Sequence, residues 1–143
     1  MMTETPVLPV PYPDSTLAYL SLPVSGDDGF PQAFLLDMND TVYRLTFSIT
    51  YTDPAVIFSS NYASGFFDLS DPQLGLFLNL TVELEALPAP DRFIGVSRLN
   101  TGIPIRIGPL RFLFSRIKVA QANLVGPGSF GSEVLGQVAV PNG

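Results

Sequence analysis

Residues 43–51, YRLTFSITY, decide the fold class of this chain. Apolar or aromatic side chains occupy every odd-numbered position and polar ones every even-numbered position, which is the two-residue period of a strand with one buried face. Residues 76–85, LFLNLTVELE, repeat the pattern, with leucine or valine at the even positions. Because Pro88 and Pro90 follow, this second run ends in a turn. The sequence therefore predicts two amphipathic strands.

Shorter apolar runs predict further strands, separated by clusters of Gly, Pro, Asn and Asp. These runs are residues 17–22, 33–36, 56–58, 66–69, 93–96, 103–107, 110–114, 117–124 and 134–140. Fourteen prolines and twelve glycines leave little room for a helix longer than three turns. Only residues 111–124 leave a helix open as an alternative, because they fit neither the helical period nor the strand period well. We expect an all-β fold, an antiparallel β-sandwich or a small β-barrel.

The first residues differ from the rest in their proline content. Pro6, Pro9, Pro11 and Pro13 each remove a backbone donor and favour extended geometry in the preceding residue. We expect an extended proline-rich arm over residues 1–16, followed by a single β domain over residues 17–143. The arm is either a frayed terminus or a strap on a neighbouring subunit, and its four prolines are candidate partner contacts.

The residue types that the chain lacks limit its chemistry. It has no His and no Cys, so Ser-His and Cys-His triads, thiolate nucleophiles and thiolate-bound zinc are excluded. Glu83 and Glu85 share the polar face of one strand, as solvated carboxylates do, and Asp68 suits a turn or an ion pair. We predict no enzymatic activity, no catalytic residue, no cofactor and no metal site.

Two motifs resemble ligand-binding motifs but lack the flanking residues or the spacing that binding requires. Residues 126–131, GPGSFG, match the G-x-G-x-x-G fingerprint, but only twelve residues follow them, too few for the helix and the acidic residue that bind a dinucleotide. Asp27 and Asp28 offer oxygen ligands without the spacing of an EF-hand. We interpret the first motif as a glycine-rich loop before the last strand and the second as turn residues.

Charge is unevenly spread along the chain. Residues 92–118 hold six basic side chains and no acidic one, although the net charge is −6 and the pI is about 4.3. The six are Arg92, Arg98, Arg106, Arg111, Arg116 and Lys118. On paired strands they are expected to form a local basic patch that docks onto an acidic partner or a sister subunit. Ordinary solvated side chains are the alternative, and the low pI opposes nucleic-acid recognition.

The order of several segments resembles the baseplate plug family of contractile-tailed phages. After the strand at residues 43–49 come residues 66–71, FFDLSD, where the family has an aromatic-x-Asp-Leu motif. Residues 93–99, FIGVSRL, and 101–105, TGIPI, are similar to the family's segment of a Gly, an Arg-Leu pair and a second Gly. The resemblance covers roughly residues 17–140. Phe stands where the family usually has Trp, and the proline arm has no counterpart in it.

The resemblance implies a structural protein of the virion, made in the host cytoplasm and placed at the central axis of the tail baseplate. There it would pack against hub and spike proteins, and against the tail-tube or tape-measure protein, as a homo-oligomer within a three-fold or six-fold assembly. The resemblance implies no catalytic residues. No stretch is long and apolar enough for a membrane span.

Two other classes remain open from the sequence. A carbohydrate-binding β-sandwich would present exposed aromatic side chains beside amides, for which Tyr12, Tyr19, Tyr62 and Asn61 are candidates. A small hydrolase would need a convergent acid–base pair, and none is evident in the sequence.

Overall fold

The computed structural model describes residues 6–7, 10–11, 19–38, 40–51, 66–69, 76–88, 90–124 and 126–139. Eleven strands in these residues form two sheets that enclose one hydrophobic core, and helix is confined to short 3₁₀ turns. The prediction of an all-β fold is confirmed. The candidate strand at residues 56–58 lies outside the described residues.

We call the two layers the front sheet and the back sheet. The front sheet has the order β1 (Pro6–Val7), β4 (Gln32–Met38), β5 (Thr41–Tyr51), β7 (Leu76–Leu84) and β8 (Phe93–Arg98). The back sheet has the order β2 (Val10–Pro11), β3 (Leu20–Ser21), β11 (Glu133–Ala139), β10 (Leu110–Ala120) and β6 (Phe66–Asp68), with β9 (Ile105–Ile107) beside the first residues of β10. Neighbouring strands are antiparallel, except that β1 runs parallel to β4.

The two strands with the clearest alternation are neighbours in the front sheet. Phe47 of β5 lies opposite Leu80 of β7, and both side chains are fully buried. The ring of Phe47 meets the ring of Phe114 from the back sheet edge to face, with centroids 6.3 Å apart. Burial of this apolar face against the second sheet is the main source of stability for the sandwich.

A β-bulge in β10 explains why residues 111–124 fit neither period. The register with β11 passes from Phe114 opposite Gly136 to Arg116 opposite Leu135, so Ser115 is an extra residue. Even-numbered positions are buried up to Phe114 and odd-numbered ones from Ile117 onward. The prediction of two strands here was wrong, as was the helical alternative, because one bulged strand runs to Ala120 and a 3₁₀ turn at Gln121–Leu124 follows.

Gly136 stands in the middle of β11 because the core leaves no room for a side chain. A Cβ atom at this position would overlap the ring of Phe114, which lies directly opposite and is fully buried. Glycine inside a strand commonly marks such a close approach.

Parts of the proline-rich arm pair with the body of the same chain. Pro6 lies opposite Leu35 of β4, and Pro11 lies opposite Leu20 of β3, so the arm adds one short edge strand to each sheet. Proline is tolerated there because an edge strand leaves one side of its backbone unpaired. Pro9 and Pro13 lie outside the described residues, and contact of the arm with a neighbouring subunit stays a prediction.

Candidate functional site

The basic side chains at residues 92–118 are divided between the two sheets. Arg92 and Arg98 belong to the front sheet, at the two ends of β8. The chain then crosses to the back sheet, which carries Arg106 on β9 and the other three cations on β10. The expectation of one patch on a single face is therefore corrected, because residues 99–104 cross between the layers.

Arg92 is neutralised within a cluster at the end of the front sheet. Its guanidinium lies 3.8 Å from the carboxylate of Glu83 and 3.4 Å from that of Glu85, while Arg44 lies 3.1 Å from Glu85. The two glutamates considered as a candidate carboxylate pair are thus ion-paired rather than merely solvated. The cluster fixes the turn between β7 and β8.

Arg98 forms part of an exposed edge that we call the β8 edge: Phe93, Val96, Arg98 and Ile103. Its guanidinium lies over the ring of Phe77, 3.6 Å from the centroid, as in a cation–π contact. Phe93, Val96 and Ile103 are 53%, 57% and 63% exposed. Among the described residues, β8 has a strand partner only in β7, so this edge combines a one-sided strand with apolar side chains facing solvent.

The outer surface of the back sheet holds the remaining cations, and we call it the β10 face. Its members point outward from β9, β10 and β11: Arg106, Arg111, Leu113, Arg116, Lys118, Glu133 and Leu135. Arg116 donates a 2.7 Å hydrogen bond to the carboxylate of Glu133. Lys118 has Asp68 opposite it on β6 and Glu133 opposite it on β11, and its ammonium lies 4.7 Å from the ring centroid of Phe66. At this end of the face, acids balance the cations.

The other end of the β10 face carries two arginines without an acidic neighbour. Arg106 and Arg111 lie directly opposite each other in the β9–β10 hairpin. Among the described residues, neither guanidinium has a carboxylate within ion-pairing distance. Sequence analysis identified both residues but not their pairing, because the hairpin register depends on where the Gly108-Pro109 turn falls.

An open groove of about 390 Å³ lies beside the bulge in β10. β9 flanks β10 at residues 110–112 and β6 flanks it at residues 118–120, so the stretch between them lacks a full strand partner on this side. The groove is lined by Phe66, Asp68, Thr101, Ser115, Arg116, Ile117 and Lys118. An aromatic ring, two hydroxyls and charges of both signs make it suitable for a small polar ligand.

The glycine-rich loop at residues 126–131 encloses protein groups. The amide nitrogen of buried Asn123 donates to the carbonyls of Asp27, Gly126 and Gly128 at 3.1 to 3.3 Å, and its oxygen accepts a 2.6 Å bond from Ser132. The Asp27 carboxylate accepts bonds from the backbone N–H groups of residues 130–132. The loop precedes β11, as predicted, and the Asp27 carboxylate accepts backbone hydrogen bonds from it.

The remaining candidates are the carbohydrate-stacking residues, a metal site and a membrane span. Tyr19, considered for carbohydrate stacking, is 6% exposed and belongs to the core, so that assignment was wrong. Tyr12, Asn61 and Tyr62 lie outside the described residues. Within the part of the chain that the structure describes, no three Asp or Glu side chains converge as metal ligands would, and no helix could cross a membrane.

Comparison with known proteins found no matching family model, no matching curated protein and no matching solved structure.

Proposed function

We propose that this chain is a non-catalytic structural subunit of a contractile phage-tail baseplate, of the plug type. In this role it packs against hub and spike proteins at the central axis of the virion tail and closes or lines the tube. The observation that carries the proposal is the β8 edge, an apolar strand edge exposed to solvent in an otherwise well-packed sandwich.

The β8 edge has the composition of a protein contact. Within the part of the chain that the structure describes, six large hydrophobic side chains are exposed. Four of them fall within residues 87–103, around this one strand: Leu87, Phe93, Val96 and Ile103. Proteins normally protect a strand edge with charge, with proline or by covering it, since an apolar edge pairs readily with other chains. A partner that covers these residues in the assembly accounts for their exposure in the free subunit.

The resemblance to the plug family supports the same location. Two of the segments that carry it, residues 93–99 and 101–105, contain the whole β8 edge. Arg98 adds a guanidinium to the apolar side chains, a combination enriched at the centre of protein interfaces. The edge therefore suits a partner surface that is apolar with an acidic rim. Repetition around the tail axis would place copies of the edge in a closed ring.

Co-assembly with baseplate hub and spike proteins tests the proposal. The chain is co-expressed with whichever hub and spike proteins the flanking genes encode, and complexes are followed by size-exclusion chromatography. Val96→Lys places a charge on the β8 edge without touching the core, and we expect it to abolish co-elution. Phe130→Lys, at a 48% exposed position in the glycine-rich loop, is the matched control and should leave co-elution intact. Loss of co-elution in neither variant, or equally in both, would contradict the proposal.

The groove beside the bulge favours a second candidate, a carbohydrate-binding module. Phe66, Thr101 and Ser115 offer a ring and two hydroxyls, which are groups that recognise sugars. Lys118 already covers part of the Phe66 ring, which leaves less of it for stacking. A glycan array with the isolated chain separates the two candidates. Saturable binding that Phe66→Ala removes would support the module, and absence of binding to any glycan would exclude it.

A further inference from the structure

We infer that Arg106 and Arg111 form a two-arginine clamp for a carboxylate on an acidic segment of a protein partner. The inference rests on the proposed function, since it names the chemistry by which a partner is recognised at the β9–β10 hairpin, next to the β8 edge. It stands on the placement of the two side chains, on their lack of counter-charge and on the charges around them.

The hairpin places Arg106 and Arg111 at opposite positions of two paired strands. Arg106 on β9 and Arg111 on β10 are directly opposite and point away from the core, between the inward-facing pairs Ile107–Leu110 and Ile105–Phe112. A two-residue turn, Gly108-Pro109, joins the strands, with Gly108 at a φ of 58°. Because proline fixes its own φ near −65°, this turn suits a type II′ hairpin and restricts the register. The backbone thus fixes the two positions from which the arginine side chains project.

Nothing within the described part of the fold compensates this pair. Like charges directly opposite each other in a sheet are destabilising. The other basic side chains of residues 92–118 are each engaged: Arg92 with two glutamates, Arg98 with the Phe77 ring, Arg116 with Glu133, and Lys118 with the Phe66 ring. Arg106 and Arg111 have no such contact among the described residues. Both guanidinium groups therefore remain available to a carboxylate from another chain.

The surrounding charges select a short acidic segment over a polyanion. Further along the β10 face, Asp68 and Glu133 flank Lys118, and the whole chain carries a net charge of −6. A nucleic acid needs many phosphate contacts along its length, and it would meet these acids within a few residues of the clamp. One Asp or Glu side chain needs only the two guanidinium groups, which bind a carboxylate through paired hydrogen bonds.

The neighbouring side chains define the rest of the partner segment. Leu113 is the next outward residue on β10 after Arg111, and Leu135 of β11 is 45% exposed beside Arg116. An extended partner that places an acidic residue on the clamp would therefore lay apolar residues over these leucines. The expected motif is acidic at one end and apolar next to it.

Titration with a defined probe tests the clamp without any baseplate protein. The ¹⁵N-labelled chain is titrated with triglutamate, and separately with inorganic phosphate at equal ionic strength, while the arginine Nε–H signals are followed by NMR. We expect saturable shifts of the Arg106 and Arg111 signals with triglutamate. The affinity for triglutamate should be lower by about tenfold or more in Arg106→Gln/Arg111→Gln. Arg116→Gln/Lys118→Gln, at the end of the β10 face where acids balance the cations, undergoes the same change in net charge and should bind triglutamate as the unchanged chain does.

Three results would overturn the inference. They are equal shifts at all exposed arginines, unchanged affinity in Arg106→Gln/Arg111→Gln, and tighter binding of phosphate than of triglutamate. The thermal midpoint of the double variant should equal or exceed that of the unchanged chain, because the repulsion is removed. Should the double variant not fold, the single variants Arg106→Gln and Arg111→Gln carry the same test.

The clamp and the proposed function can fail separately. Co-elution with hub and spike proteins that is unaffected by Arg106→Gln/Arg111→Gln would overturn the clamp and leave the proposed function standing. Saturable triglutamate binding without co-elution of any baseplate protein would overturn the proposed function and leave the clamp.

Discussion

Replacing Asn123 by alanine should be among the most destabilising polar substitutions in this chain. Asn123 is fully buried, and its amide makes hydrogen bonds to three backbone carbonyls and to the Ser132 hydroxyl. Two N–H donors and one acceptor are lost together, at a net cost of about 1 kcal/mol each, so we expect about 3 kcal/mol. That is a large part of the 5–15 kcal/mol that stabilises a typical domain, with ~10 °C lost in Tm.

Urea unfolding followed by tyrosine fluorescence measures this cost. Asn100→Ala, in the connection between β8 and β9 and outside the network, is the matched control and should change the free energy of unfolding by less than ~0.5 kcal/mol. Hydrogen exchange should also speed up at the backbone amides of residues 126–132, which the network holds. If Asn123→Ala costs no more than Asn100→Ala, the network does not stabilise the fold as reasoned.

Three further predictions follow from the packing. Gly136→Ala should destabilise the sandwich by about 1–3 kcal/mol, measured by urea unfolding, because its Cβ would displace the buried ring of Phe114. Burial raises the pKa of the Tyr43 hydroxyl above its ordinary value of 10.0, and a hydrogen bond with Thr41 lowers it by a smaller amount. The free energy of unfolding should therefore hold below about pH 10 and fall as the pH rises further, because the unfolded chain loses this proton first. Tyr43→Phe should remove that fall in urea titrations at alkaline pH. Deleting residues 1–11 should leave a cooperative thermal transition at a slightly lower midpoint, because β1 and β2 each contribute a two-residue edge; loss of cooperative folding would contradict this.

The sequence predicts the front sheet well because its two central strands bury one face each. Across the nine paired positions of β5 and β7, an apolar side chain recurs at every second residue, and a one-residue slip would turn the inward-facing leucines toward solvent. Which strand pairs with which is set by the sandwich as a whole, and the periodicity of a single strand cannot predict it.

β10 shows where periodicity fails. The extra residue Ser115 reverses the phase of the strand between Phe114 and Ile117, and a local pattern cannot distinguish such a reversal from a break between two strands. The groove that lies beside the bulge was therefore missed. Nothing about Ser115 in the sequence indicates that a groove lies beside it.

The sequence identifies the residues of the candidate surfaces but does not predict how they are arranged in space. The run of cations at residues 92–118 is visible in the sequence, whereas its division depends on a crossing between sheets. Which cations are neutralised depends on partners such as Glu133, 17 residues from Arg116. The bond from the Asn123 amide to Asp27 spans 96 residues and is equally unreadable from local pattern.

Hydrogen exchange at β8 tests the proposed assembly most directly. The backbone amides of Phe93–Arg98 are measured in the free chain and in a mixture with the proposed partners, baseplate hub and spike proteins. We predict slower exchange at these amides in the mixture, with little change at β4 and β5 in the middle of the same sheet. Unchanged exchange at β8 in the presence of both proteins would contradict the account.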